Sequence, residues 1–336
     1  MSVLSIGGEE ILLGERRQLA LTVAKLYDFT DMKIPVEVVR GTEPGPTLFI
    51  SAAIHGDEIN GVDIVRRLLK HRALKMIHGT LIAIPIVNVF GFNDKSRYLP
   101  DRRDLNRSFP GAEHGSLASQ IAHIFRCEIV NQSTHGIDLH TGAIHRCNLP
   151  QIRADLTHPA NLLLARAFGA PVILNASPRD GSLREMVDGQ KIPMLLYEAG
   201  TALRFDKNAA LLGVEGILNV MRTIGMLPEL KRASRHPDPF IAKSSLWVRA
   251  PISGIFVTRK KLGDQVSKNE KIGFITNPFG DYEYAILSPI SGVIIGNSIL
   301  PLANEGDGIY HIATFEKGTD MTNDELYPYI DPDLNR

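Results

Sequence analysis

Apolar and polar blocks follow one another along this chain with a change of period at each boundary. Residues 1 to about 45 read as short strands and turns: LALTVAKLYDF and IPVEVVRG carry strand content, and TEPGPT is a turn cluster. TLFISAAI, Thr47 to Ile54, is almost continuously apolar and ends in a polar loop, the pattern of a strand buried on both faces. From Ile59 to His71 the spacing turns helical, with Val62, Val65, Leu68 and Leu69 on one face. GTLIAIPIVNVFGF predicts a second buried strand, and the Arg- and Asp-rich stretch from Asn93 to Gly115 predicts a long functional loop. Leu117 to Val130 and PANLLLARAFG predict helices, as does Asp206 to Ile224, with Gly225 beyond its end. GIDLHTG, APVILNA and IPMLLYEAG predict strands, the first ending at a histidine and the last at a glutamate.

Strands alternating with helices imply an α/β domain with a mostly parallel sheet and helices on both faces. That domain is expected over residues 1–227, with 1–45 as its N-terminal β segment. The polar, proline-containing stretch from Pro228 to Ser245 reads as a linker. The remainder, 246–336, changes character and carries an internal repeat: APISGIF from Ala250 and SPISGVI from Ser288, each followed by a turn rich in Gly, Asp and Asn. Two similar all-β halves predict a small barrel-sandwich domain with a C-terminal tail.

Composition narrows the classes. Lys plus Arg and Asp plus Glu both number 37, so the formal net charge is zero. That argues against nucleic acid or a membrane as the main partner. Two cysteines, Cys127 and Cys147, make no disulfide framework, and neither a secretory signal nor a bilayer-spanning run is read, so a cytoplasmic location is expected.

The chemistry gathers at strand ends. His55 and Glu58 follow TLFISAAI, the Arg/Asp/Asn loop follows IAIPIVN, His140 follows GIDL and Glu198 follows PMLLY. In a parallel α/β sheet such ends open on one crevice. Singly, each has a bland reading: a histidine after a strand is more often a satisfied polar residue, and Glu58 could merely favour a helix N-terminus. Together, two histidines and a carboxylate suffice for a catalytic zinc ion with a fourth position for water. A carboxylate that is not a ligand, Glu198, then suits the role of proton acceptor and donor.

IHGDE, RDLNRSFPG, DLHTG and LLYEAGT together resemble the succinylglutamate desuccinylase/aspartoacylase family, of the zinc carboxypeptidase fold group, over roughly residues 40 to 225. The resemblance implies one zinc ion per chain held by His55, Glu58 and His140, with Glu198 as general base and acid. It implies that Asn106 and Arg107 hold the substrate's carboxylate and that Asp104 orients a histidine ligand, His55. Arg97 lies where the family has an arginine that polarises the scissile carbonyl; Arg102 and Arg103 crowd the same loop, and a surface charge is the competing reading. Asp104 and Arg107 could instead form a loop ion pair. His145 and Arg146, just after DLHTG, could line the pocket, with a solvated loop the preferred reading, and Cys127 reads as a core residue.

The C-terminal repeat resembles the biotinyl/lipoyl carrier domains. Their modified lysine sits at a hairpin tip, and the matching stretch here, TNPFGDYEY from Thr276 to Tyr284, has none. The repeat therefore implies an appended β-domain that covers the crevice, restricts substrate size or makes subunit contacts, and a homo-oligomer stays open. The function expected is zinc-dependent hydrolysis of an N-acetyl- or N-succinyl-type amino acid or a related small amide. The alternatives are a metallocarboxypeptidase acting on short peptides and a non-catalytic binding or assembly protein.

Overall fold

The structure is a computed structural model that describes residues 4–229 and 238–315. Parts of the expected linker and the whole of the expected tail beyond Phe315 lie outside the described residues. The chain opens with β1 (Leu4–Ile6), β2 (Glu9–Ile11), β3 (Arg16–Lys25), β4 (Asp31–Arg40) and β5 (Thr47–Ala52). Next come α1 (Asn60–Leu68), β6 (Thr80–Ile84), α2 (Val89–Asp94), α3 (Leu117–Glu128), β7 (His135–Gly142) and β8 (Arg146–Ala154). Then follow α4 (Pro159–Phe168), β9 (Val172–Asn175), α5 (Leu183–Gly189), β10 (Met194–Thr201) and α6 (Lys207–Thr223). The last part is all strand: β11 (Phe240–Ala242), β12 (Ser244–Arg249), β13 (Gly254–Thr258), β14 (Gln265–Val266) and β15 (Lys271–Thr276). β16 (Glu283–Leu287), β17 (Gly292–Ser298), β18 (Leu302–Ala303) and β19 (Gly308–Thr314) complete it.

The large sheet runs β12-β19-β17-β8-β10-β7-β5-β6-β4-β3, with β9 also on β8. Its centre, β10-β7-β5-β6, is parallel. β3, β4, β8, β17, β19 and β12 all run antiparallel to a neighbour. The sheet is therefore mixed, and the expectation of a mostly parallel sheet is corrected. One reason is the N-terminal hairpin β3-β4, which joins β6 antiparallel, and the other is β8, a strand absent from the hydropathy reading. It returns after a short loop from β7 with no crossover helix, so it enters the sheet reversed.

Helices do cover both faces. Val65 and Leu68 of α1, Leu164 and Phe168 of α4 and Ile217 and Met221 of α6 share one apolar layer. Ile121 and Phe125 of α3 and Leu183 and Val187 of α5 share the other. Between them β5 and β6 bury nearly every side chain, as their continuous apolar runs require. α6 starts where the Asp206 carboxylate accepts from Ala209 N–H at 2.9 Å, and Gly225 beyond its end takes φ +80°, which favours glycine.

The two copies of the repeat lie in different sheets. β13 belongs to the four-stranded sheet β16-β15-β13-β18, while β17 joins the large sheet by pairing with β8. β11, inside the stretch that reads as a linker, pairs with β9.

Candidate metal centre and substrate cavity

The carboxyl ends of β5, β6, β7 and β10 converge on a cavity of about 320 Å³. After β5 the backbone is pinned at Ala53, whose φ of +50° is strained for a residue with a side chain. Val87 N–H and Asn88 N–H donate to the Ala52 and Ala53 carbonyls and hold the turn. Gly56 permits the next step: a Cβ there would overlap the backbone of Gly91 in α2. Its role is close approach between two chain segments. The turn presents His55 and Glu58, 4% and 1% exposed.

His140, near the end of β7, completes a triangle. His55 Nδ1 lies 2.8 Å from Glu58 Oε1, and His140 Nδ1 lies 2.9 Å from Glu58 Oε2. One ligand-capable atom from each of the three residues lies within 4.8 Å of the others. The far nitrogen of each ring is tied back: His55 Nε2 is 3.2 Å from Asp104 Oδ1, and His140 Nε2 is 2.7 Å from Asp138 Oδ2. Asp138 in turn accepts from the Ser51 hydroxyl at 2.7 Å. A carboxylate behind each imidazole fixes its tautomer and turns the other nitrogen inward, as metal-binding histidines require.

The fit to a cation can be tested on His55. Its Nδ1 is buried and lacks a hydrogen-bond partner, because the close Glu58 oxygen lies off the line such a bond needs. A buried ring nitrogen without a partner beside a carboxylate and a second imidazole is a donor set for a divalent ion.

Charge supports this. Burial alone would raise the Glu58 carboxyl, but His55 and His140 outweigh it and hold it well below the usual carboxylate range. Burial opposes a proton on His140, yet Asp138 and Glu58 push it well above the ordinary histidine value. Asp104 is likewise held low by His55 and Arg97 against its burial. Asp57 goes the other way: burial, and then the neighbouring Glu58 charge, raise it, and its Oδ1 has no partner.

The loop after α2 supplies Arg97, Asn106 and Arg107, and β10 supplies Glu198. Arg97 bridges the two acids, with Nη1 3.1 Å from Glu58 Oε1 and Nη2 2.9 Å from Asp104 Oδ2. Asn106 and Arg107 both line the cavity. The Asn106 side-chain oxygen accepts from Leu183 N–H at 2.9 Å, so α5 anchors this loop. Glu198 pairs in register with His140 across β10 and β7 and faces the same cavity. Both its oxygens are engaged: Asn148 Nδ2 donates to one at 2.6 Å and Arg153 Nη1 to the other at 3.2 Å.

A family model described as the succinylglutamate desuccinylase/aspartoacylase catalytic domain matches residues 44–224, more than half of the chain. The chain belongs to this family. The Nα-acetyl-L-2,4-diaminobutyric acid deacetylase of Halomonas elongata is 26% identical over 296 residues, 83% of this chain and 85% of that protein. A succinylglutamate desuccinylase/aspartoacylase from Rhodobacter sphaeroides superposes with a TM-score of 0.81 at 23% identity, covering 90% of this chain and 96% of its own. The product-bound ectoine utilization protein EutE (DoeB) of Ruegeria pomeroyi gives 0.82 at 23% identity, over 90% and 97%. These two likenesses show that the desuccinylase/aspartoacylase fold extends into the C-terminal strands.

Several residues around this cavity were not singled out by the sequence. Asp138 stands two before His140 on one strand and so shares its face; the period of two could have found it. Asn148 and Arg153 reach Glu198 only because β8 lies antiparallel beside β10. Arg146, read as a solvated loop residue, lines the cavity, with its guanidinium 4.9 Å from the centre of the Trp247 ring. Trp247, Arg249 and Gly308 line it from the C-terminal strands. Among the described residues no helix is long and apolar enough to cross a membrane.

Proposed function

We propose that this chain is a zinc-dependent amidohydrolase that cleaves the amide of an N-acyl amino acid or a related small amide. The observation that carries the reading is the triangle of His55, Glu58 and His140, each histidine backed by a carboxylate, with Glu198 beside it on the next strand. The donor set would hold one zinc ion per chain, which supplies Lewis acidity and makes water a nucleophile near neutral pH.

The protein's own groups do the rest. Asn106 and Arg107 bind the substrate's carboxylate, an amide and a guanidinium fork matching its geometry. Glu198 takes the proton of the attacking water and delivers it to the leaving amine nitrogen. Asn148 and Arg153 fix its carboxylate in place. Arg97, at the edge of the triangle, stabilises the developing oxyanion on the carbonyl. The Halomonas relative is named as a deacetylase of an N-acetylated amino acid, which supports this class of reaction.

Glu198→Gln tests the reading. The variant is expected to keep one zinc per chain by metal analysis and to lose roughly 10²–10⁴-fold of its hydrolysis of N-acyl amino acids. Full activity in that variant removes Glu198 from the mechanism. Release of C-terminal residues from short peptides, with N-acyl amino acids left intact, would favour a carboxypeptidase instead.

A further inference from the structure

Glu198 is one of three carboxylates that face seven arginines in the cavity. Both its oxygens are held from β8, by Asn148 at one and Arg153 at the other. Those two residues stand five apart on one strand, and in a regular strand such a pair points to opposite faces. The register explains how both reach the same carboxylate. Between the pairs Glu198–Gln151 and Gly200–Asn148, β10 advances two residues and β8 advances three. The extra residue makes a bulge in β8, and the bulge turns Asn148 back onto the face that carries Arg153 and Glu198.

A glycine from the C-terminal strands bounds the other side of Asn148. β17 pairs with β8 along one edge and with β19 along the other, so Gly296 lies across from Asn148 and from His311. Gly296 is not among the glycines with positive φ, so what it supplies is space. A Cβ there would lie 2.8 Å from Asn148 Oδ1 and 3.2 Å from the His311 Cβ. His311 has little room to yield: it is 3% exposed, and its ring stacks on Trp247 with centroids 4.7 Å apart. The group that gives way is the Asn148 amide, the free end of a side chain. That same amide donates through Nδ2 to Glu198 at 2.6 Å.

We propose that Gly296 is a positioning residue for Glu198 and acts through Asn148. It belongs to SPISGVIIGNS, the second copy of the repeat, outside residues 44–224 that match the family's catalytic domain. The C-terminal strands thus set the aim of the proton-transfer group without touching it. This rests on the reading of Glu198 as general base and acid. With the slot at Gly296 clear, Asn148 and Arg153 grip opposite oxygens and leave the carboxylate one orientation. From there it takes the proton of the water and hands it to the leaving nitrogen. With the slot filled, the amide is displaced, Arg153 alone holds the carboxylate, and Glu198 swings about that contact. A misaimed base lowers kcat more than it changes KM, because Asn106 and Arg107 hold the substrate's carboxylate elsewhere in the cavity.

The test uses zinc-loaded, full-length protein with Nα-acetyl-L-2,4-diaminobutyrate and N-succinyl-L-glutamate as probes. It compares the parent, Gly296→Ala, Asn148→Ala and the double variant. Gly296→Ala should keep its zinc and its thermal midpoint and lose about 10- to 100-fold in kcat, with KM little changed. Asn148→Ala should lose a similar factor. The double variant separates positioning from packing. Once the amide is gone, an alanine at position 296 has nothing to displace, so kcat should match that of Asn148→Ala within about twofold, whereas independent losses would multiply. Multiplying losses, a Gly296→Ala variant with full kcat, or a loss confined to KM would overturn the inference. If Gly296→Ala fails to fold, the double variant should fold and behave as Asn148→Ala; a double variant that also fails makes Gly296 a packing residue and overturns the inference equally. The amidohydrolase reading fails separately, through a Glu198→Gln variant as active as the parent or a parent that hydrolyses no N-acyl amino acid. The crystal structure of Gly296→Ala then decides the inference alone. Asn148 Nδ2 beyond about 3.5 Å from Glu198 upholds it, and an unchanged contact overturns it.

Discussion

His311 sits directly opposite Trp247 on β19 and β12, and the two rings stack with centroids 4.7 Å apart. Burial, followed by the charges of Arg153 and Arg179, lowers its imidazole to about 3. An unfolded histidine binds its proton near pH 6.5. Between those values the unfolded chain carries a proton that the native chain does not, so this group's contribution to stability is complete above about pH 6.5. It is lost as pH falls, by at most ~1.4 kcal/mol per pH unit. His311→Gln should narrow the gap between urea unfolding free energies at pH 7 and pH 5; an unchanged gap would show that His311 is not the group responsible. Asp138 makes a second prediction at this scale. Asp138→Asn weakens the acceptor behind His140 without changing its shape, and zinc affinity should fall about 10- to 100-fold in competition with a chelator. Affinity equal to that of the parent protein would leave Asp138 without that role. The Cys147 thiol, pushed up to about 12 by burial, should stay unmodified by a thiol reagent at pH 8 in the folded protein and react once urea is added.

Among the elements, the turn from β5 to α1 carries the most function in the least chain. His55 and Glu58 take their positions from two constraints: the hydrogen bonds that hold Ala52 and Ala53, and the contact of Gly56 with α2. The sequence reading placed His55 and Glu58 at this strand end, and Gly56 between them is required by close packing against α2, a helix the apolar pattern of GTLIAIPIVNVFGF did not separate from the strand before it. Gly56→Ala must push α2 away from the turn, at a cost of about 1–3 kcal/mol. The thermal midpoint should fall and zinc binding weaken together; a loss of stability with unchanged zinc affinity would show that the turn tolerates the shift.

For the whole molecule, the decisive strand is β8. It lies between β10, which carries Glu198, and β17, which begins the C-terminal part of the sheet. Leu149 of β8 and Val172 and Leu174 of β9 pack with Ala242, Val293, Ile295 and Ala313 in one apolar cluster. A chain ending at residue 229 would expose that cluster and the β8 edge, and would lose Trp247 and Arg249 from the cavity. It should aggregate on size exclusion and lack a cooperative thermal transition. A monomeric fragment that unfolds cooperatively would show that the C-terminal strands are dispensable for folding.

The sequence by itself determined the buried central strands, the helices on their faces and the residues at the strand ends. Continuous apolar runs and helical periodicity are local properties, and a parallel sheet brings its strand ends to one side whatever its exact order. His55, Glu58, His140, Glu198, Asn106 and Arg107 were legible for that reason, together with the motifs around them. Tertiary structure alone decided what surrounds them. Asn148 and Arg153 meet Glu198 through an antiparallel register that no local pattern encodes. Arg179 and Arg184 come from a loop and a short helix whose hydropathy is unremarkable, and only packing shows that they share a wall with Arg153. A neutral composition concealed a cationic cavity, because net charge sums over the chain while a substrate meets only the charges that folding places around it.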